Sequence, residues 1–356
     1  MRVHLTEAMF APHEAELMTA GDIAVTTFRY ASGVAALRVR TPRAELVVLP
    51  FKGQQVWRAV FDGRDVTMGS MFSEPVDTQE YLATYGAFLI HCGLTAMGGP
   101  GPTDTHPLHG ELPNARFQAA YLEMRDGTLV IGGRFRHAVA FTVAYLARCE
   151  ITVDPSEAQI GVTVEVENQR HAPMELMYLA HANFRPVDGG ELIYAAPYTP
   201  EAVRVRQSIP SHISPPEGYA DFIAALAKDP TLHHVFKPDL AFDPEVVFEV
   251  DMIAGDDGWT HAMQRHPDGT ADVISHIHAQ GPRATRWVCR TADQQGLGIV
   301  FPSTAGVEGY TAEKAKGRIV EVAPKGTWSI EMRMGTLTAD EAVEMTARVD
   351  RIAGRG

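Results

Sequence analysis

Residues 151–168 read Ile-Thr-Val-Asp-Pro-Ser-Glu-Ala-Gln-Ile-Gly-Val-Thr-Val-Glu-Val-Glu-Asn. Ile160, Val162, Val164 and Val166 alternate with Gly161, Thr163, Glu165 and Glu167. Successive side chains of a strand point to opposite faces, so this period of two predicts a strand with one buried face. Asp154-Pro155-Ser156 carries turn chemistry between that run and the preceding Arg148–Val153. The segment therefore predicts a β-hairpin.

The same alternation recurs on both sides. Upstream it predicts strands over Ile23–Arg29, Ala35–Arg40 and 44–50, then Leu129–Phe135 and 139–145. Downstream it predicts strands over 246–251, 285–290, 298–301, 318–322 and 327–334. Helices are few. Residues 217–227 place Phe222, Ile223 and Leu226 at helical spacing, and Thr338-Ala-Asp-Glu341 is a capping box ahead of Met345, Val349 and Ile352. Many strands, irregular loops and few helices predict an all-β chain, a large antiparallel β-sandwich formed by residues 1–356 as one domain, with a C-terminal packing helix over 338–353. The stretch 97–110, dense in Gly and Pro, reads as an irregular loop over a sheet.

Of the 356 residues 45% are apolar and 21% charged, the composition of a globular chain. The formal charge of −13 repels phosphate backbones and anionic lipid, so neither nucleic acid nor membrane is an expected partner. Cys92, Cys149 and Cys289 lie far apart with no CxxC, which suits reduced thiols, and there is no signal-like N-terminal apolar core. The expected location is cytoplasmic. Exposed edges of a large sandwich would permit a homodimer.

No GxGxxG, P-loop, GxSxG or HExxH is present, which removes the usual signals of nucleotide cofactors, ATP chemistry, serine hydrolysis and zinc proteolysis. What remains are histidines and carboxylates in unusual settings. His109 precedes Gly110 in a polar loop; His181 and Asn183 follow the apolar stretch 176–180; Glu308 stands between Gly306 and Gly309, shortly after the apolar run 297–301. Lys52 follows the apolar stretch 46–51 and reads first as a strand-end lysine. Trp57, Trp287 and Trp328 read as buried structural residues.

Taken in order, the His109-Gly110 loop, His181-Ala-Asn-Phe184 after Met-Glu-Leu, and Val307-Glu-Gly309 resemble the galactose mutarotase-like (aldose 1-epimerase) superfamily. Tyr85-Gly86, Cys92-Gly-Leu94 and Lys52-Gly-Gln-Gln-Val-Trp57 resemble its DUF4432-like branch, and the likeness spans roughly residues 20–335. His-Ala-Asn-Phe stands where that superfamily has a His-Pro-Tyr-Phe-like segment, and Gly309 follows Glu308 where proline is usual.

The resemblance implies anomer interconversion of a monosaccharide or sugar derivative by general acid–base catalysis. Glu308 would be the base at the C1 hydroxyl, His181 the acid at the ring oxygen, and His109 a hydrogen-bonding group at that oxygen. Asn183, Lys52 and Arg116 would bind sugar hydroxyls or substituents, Lys52 suiting a carboxylated or sulfonated sugar. Neither metal nor organic cofactor is required. Two alternatives stay open. One is a metal-dependent sugar isomerase or lyase on the same sandwich, with ligands from His106, His109, Glu111 and His181, and with His276 and His278 sharing one strand face. The other is a non-catalytic carbohydrate-binding protein.

Overall fold

The structure is a computed structural model and describes residues 2–209, 214–238 and 240–355. The hairpin predicted at 151–168 is its organising element. Strands Val143–Val153 and Gln159–Asn168 pair antiparallel from Tyr145 opposite Asn168 to Val153 opposite Ile160. The turn closes as its residue types dictate: the Ser156 N–H donates to Asp154 Oδ1 at 2.9 Å. Ile160, Val162, Val164 and Val166 are buried on one face, each worth roughly 1.5–3 kcal/mol of apolar burial as an upper estimate.

From this hairpin a nine-stranded sheet extends both ways. On one side lie Thr128–Val139, Ala119–Arg125 and Arg2–Leu5; on the other lie Thr327–Leu337, Ala271–Ile277, Trp259–Arg265 and Glu191–Tyr194. A second sheet carries the strands that hold the site. Its central members are Phe242–Val250, Arg283–Arg290, Gln295–Ser303, Met174–Ala182, Leu89–Leu94 and Val56–Phe61, and its far edge runs out through Ala35–Arg40 and Ile23–Arg29. The pairing is antiparallel throughout, and the architecture is the all-β sandwich expected.

The second sheet has two apolar faces. Leu176, Tyr178, Ala180 and Ala182 belong to the core cluster shared with the nine-stranded sheet. Met177 and Leu179, on the opposite face of the same strand, belong to a second cluster with Trp57, Tyr81, Tyr85 and Trp287. A strand buried on both faces shows no alternation, and for that reason residues 176–180 read as an apolar stretch without a period of two.

Among the described residues three α-helices decorate the sandwich. Helix α1 (Tyr219–Lys228) buries Ile223 and Leu226. Helix α2 (Tyr310–Ala315) has no precedent in the sequence reading. Helix α3 (Ala339–Ile352) has the capping box, with the Thr338 N–H donating to Glu341 Oε2 at 2.8 Å.

Two expectations need correction. Residues 139–145 are not one strand: the chain turns at Phe141, 98% exposed with φ +69°, and Val139 pairs with Val143. Arg148–Val153 is the continuation of the strand that starts at Val143. His276 and His278 do not share a strand face either, because the strand ends at Ile277 and His278 opens a 3₁₀ turn. His276 is buried and lies 3.1 Å from Gly281 O.

Candidate active site

His181 reaches the outer face of the second sheet through simple alternation from Met177 and Leu179. Its ring sits among aromatics, with centroids 4.0 Å from Phe301, 5.6 Å from Trp287 and 5.7 Å from Tyr85. Asn183, fully buried, donates from Nδ2 to Ala87 O at 3.0 Å. That bond fixes Oδ1 as the atom facing His181 Nδ1, 2.6 Å away. Nδ1 therefore carries the proton, and Nε2 is left with a lone pair and no protein partner among the described residues. Burial, with a smaller contribution from His109, pushes the imidazole well below its usual 6.5.

His109 arrives from the loop 95–118. Its backbone is left-handed, φ +60°, and Gly110 follows at φ +81°. A Cβ at Gly110 would stand 2.3 Å from Ala96 O and 2.4 Å from Gly93 O, so the glycine is required there by close packing. The His109 N–H donates to Gly98 O at 3.0 Å, and its carbonyl accepts from Gly93 N at 2.9 Å. Its ring centroid lies 5.5 Å from that of His181 at 89°. His109 Nδ1 is buried without a partner among the described residues, and burial lowers this imidazole to about 4, helped by His106.

Glu308 lies in the turn that follows strand Gln295–Ser303, exposed and without a hydrogen bond among the described residues. The loop carrying it is fastened to the loop carrying His109. Gly99 N donates to Val307 O at 3.0 Å. Asp104 accepts from Gly101 N at 2.9 Å through one oxygen, and from Thr311 N and Oγ1 at 3.1 and 2.5 Å through the other. Beneath them the buried Glu313 of α2 accepts from Gly306 N at 2.9 Å and pairs with Lys316 at 2.8 Å.

His109, His181 and Glu308 line one cavity of about 770 Å³. Its wall also holds residues outside the predicted site. Glu245 accepts from Arg206 Nη2 and from Trp287 Nε1, each at 2.7 Å, so both carboxylate oxygens are engaged. Arg206 and Glu245 are 39 residues apart and meet because strands Val203–Val205 and Phe242–Val250 pair, with Arg206 N donating to Val247 O. The alternation Glu245, Val247, Glu249 was the available signal. Trp287, expected to be structural, is buried yet lines the cavity, as do Tyr81 and Tyr85, whose phenols burial raises well above 10.

The other candidates lie elsewhere. Lys52 and Arg116 form an isolated bridge outside the cavity wall. The Lys52 ammonium, lowered to about 8 by burial, donates to Thr78 O at 2.6 Å, and exposed Arg116 faces Asp77 at 3.4 Å. The metal set does not assemble. The Glu111 carboxylate is taken by Thr95 N at 3.0 Å, Thr95 Oγ1 at 2.7 Å and Tyr145 OH at 2.7 Å. His106 Nε2 lies 3.6 Å from Asp104 and accepts from Tyr310 N at 3.4 Å. Among the described residues no three His, Cys, Asp or Glu side chains group as a metal shell. The three cysteines are free and buried, and no helix among the described residues is long and apolar enough to cross a membrane.

Solved structures share this architecture. A "putative aldose 1-epimerase" from Klebsiella pneumoniae subsp. pneumoniae superposes with a TM-score of 0.80 at 16% identity, covering 99% of this chain and 96% of its own. A galactose mutarotase-like protein from Clostridium acetobutylicum gives 0.61 at 12% identity, over 90% and 100% of the two chains. A galactose mutarotase-like protein from Lactobacillus casei gives 0.53 at 11%, over 85% and 100%. No curated protein matches the chain. The fold is thus that of the galactose mutarotase-like β-sandwiches. The chain belongs to the family described as Domain of unknown function (DUF4432), whose model matches residues 31–336.

Proposed function

We propose that the protein is a carbohydrate-active isomerase that interconverts the anomers of a reducing sugar by acid–base catalysis. The observation that carries this reading is the convergence of His109, His181 and Glu308, from three separate chain segments, on one aromatic-walled cavity. Ring opening needs a proton removed from the C1 hydroxyl while another is given to the ring oxygen, and closure after rotation about C1–C2 reverses both transfers. A carboxylate and an imidazole suffice if together they hold one proton.

Glu308, without a partner among the described residues, is the group we assign to exchange a proton with O1. His181 exchanges through Nε2, its Nδ1–H being committed to Asn183. With burial holding His181 neutral in the resting protein, the active form is the singly protonated Glu308–His181 pair. His109 offers a hydrogen bond to the ring oxygen, and Trp287 and Tyr85 provide aromatic surface for the sugar's C–H face. Glu245 and Arg206 present a fixed polar pair to hydroxyls.

Exchange NMR on freely mutarotating sugars tests the proposal directly. Accelerated exchange between anomer signals supports it. A panel of aldoses without acceleration, accompanied by saturable binding of one of them, would replace it with a carbohydrate-binding role.

A further inference from the structure

The cavity is layered in its chemistry. Its inner wall carries His181 and the buried aromatics Tyr85, Trp287 and Phe301, with half-buried Glu245 beside them. Its mouth is mostly apolar, with Ser208 and Glu308 as the exposed polar residues among its described lining. Met71, Leu82 and Ile209 line it while being 68%, 50% and 43% exposed, with Phe72, Pro100 and Pro102 beside them. Large apolar side chains left in water at the rim of a ligand cavity mark surface that a ligand covers.

Size points the same way. A hexopyranose has twelve heavy atoms. Even if each took the ~30 Å³ that a water molecule occupies in the liquid, the ring would fill less than half of the 770 Å³. The remaining volume leaves room for a substituent beyond the ring.

Charge narrows the class further. Arg206 is the one cationic side chain among the described lining residues, and its guanidinium lies 2.7 Å from the Glu245 carboxylate. The adjacent Glu245 carboxylate cancels that charge, so the pair offers an anionic substituent no net attraction. Lys52, the lysine that would suit a carboxylated or sulfonated sugar, donates to Thr78 O outside the wall.

We infer that the site takes a neutral reducing sugar bearing an apolar substituent, aryl or alkyl, away from C1. The sugar ring sits on the inner wall and the substituent lies against Met71, Phe72 and Leu82. C1 stays unsubstituted because ring opening, on the reading given above and on which this inference rests, requires its free hydroxyl.

The experiment pairs binding with turnover. Calorimetric titration uses methyl glycosides of glucose and galactose, which cannot open, with and without a 4-O- or 6-O-benzyl group. Exchange NMR uses the corresponding free sugars. For at least one benzyl position, affinity and exchange rate are expected to exceed those of the unsubstituted sugar by about tenfold or more, the scale on which apolar pockets discriminate. In Met71→Ser and Leu82→Ser that ratio falls toward one. Unsubstituted sugars turned over as well as or better than every benzyl derivative would overturn the inference and leave mutarotation standing. Tighter binding of benzyl glycosides with no exchange of any free sugar would keep the ligand class and overturn mutarotation. No binding by any of these sugars overturns both.

Discussion

Asn183 Oδ1 stands 2.6 Å from His181 Nδ1, and its partner atom Nδ2 is tied to Ala87 O, so a buried amide sets which nitrogen of the imidazole faces the cavity. Asn183→Leu leaves the Nδ1–H unpaired and frees the ring to flip. It is expected to cost about 1–3 kcal/mol of stability, with anomerisation falling through kcat more than through KM. Asn183→Asp keeps the acceptor and adds a negative charge, which raises the His181 pKa. Its pH profile therefore moves upward. An unchanged pH profile in Asn183→Asp would remove Asn183 from the positioning role.

Glu308→Gln keeps the shape of an exposed side chain that makes no hydrogen bond among the described residues. Its melting behaviour should match the parent within about 0.5 kcal/mol, whereas anomer exchange should fall by roughly 10²-fold or more. Near-parental exchange rates in this variant would remove Glu308 as the proton acceptor.

The pH profile follows from the shared proton. His181 titrates below 6.5 because it is buried, so the singly protonated pair accumulates only as pH falls. The rate is expected to rise from pH 8 toward acid as His181 gains its proton, with the midpoint of the rise below 6.5. Rates measured by exchange NMR from pH 4.5 to 8.5 check this, and a plateau above pH 7 contradicts it.

How much of this could be read in the chain depends on where each element is buried. The hairpin at 151–168 was legible because one face is wet, so valines alternate with Thr163, Glu165 and Glu167. Strand Met174–Ala182 is buried on both faces, and its sequence shows an apolar run without period. His109 and Glu308 were legible because glycines flank chemical groups in loops. Asp104, which fastens those two loops together, looked like any loop aspartate. Glu245 and Arg206 are joined by strand register alone, a long-range pairing that no local pattern reports.

Asp104→Ala opens that fastening between residues 101 and 311. Loss of two backbone partners and a hydroxyl should cost about 1–3 kcal/mol and lower kcat by loosening His109 against Glu308. Asp104→Asn, which still offers one acceptor, should recover part of the rate. Thermal melts alongside exchange NMR separate the two effects.

Stability should fall on acidification before carboxylates titrate. His91 and His261 are buried and lowered to about 4, and His276 to about 3. An unfolded histidine titrates near 6.5, so below that pH the unfolded chain binds more protons than the folded one. Their contribution is complete above 6.5 and is lost progressively as pH falls toward 4. Denaturant midpoints at pH 7.5, 6 and 5 should therefore decrease in order, and a constant midpoint would show these rings to be solvated.

The two apolar faces of strand Met174–Ala182 divide its residues between separate duties. Tyr178, Ala180 and Ala182 belong to the inter-sheet core, while Met177, Leu179 and His181 face the cavity side. Drift on the cavity side can retune ligand choice without eroding the scaffold, because neighbours along the chain answer to different selective pressures. A sandwich of this kind can thus diversify its chemistry over deep evolutionary time while its shape persists, as it does between chains only 16% identical.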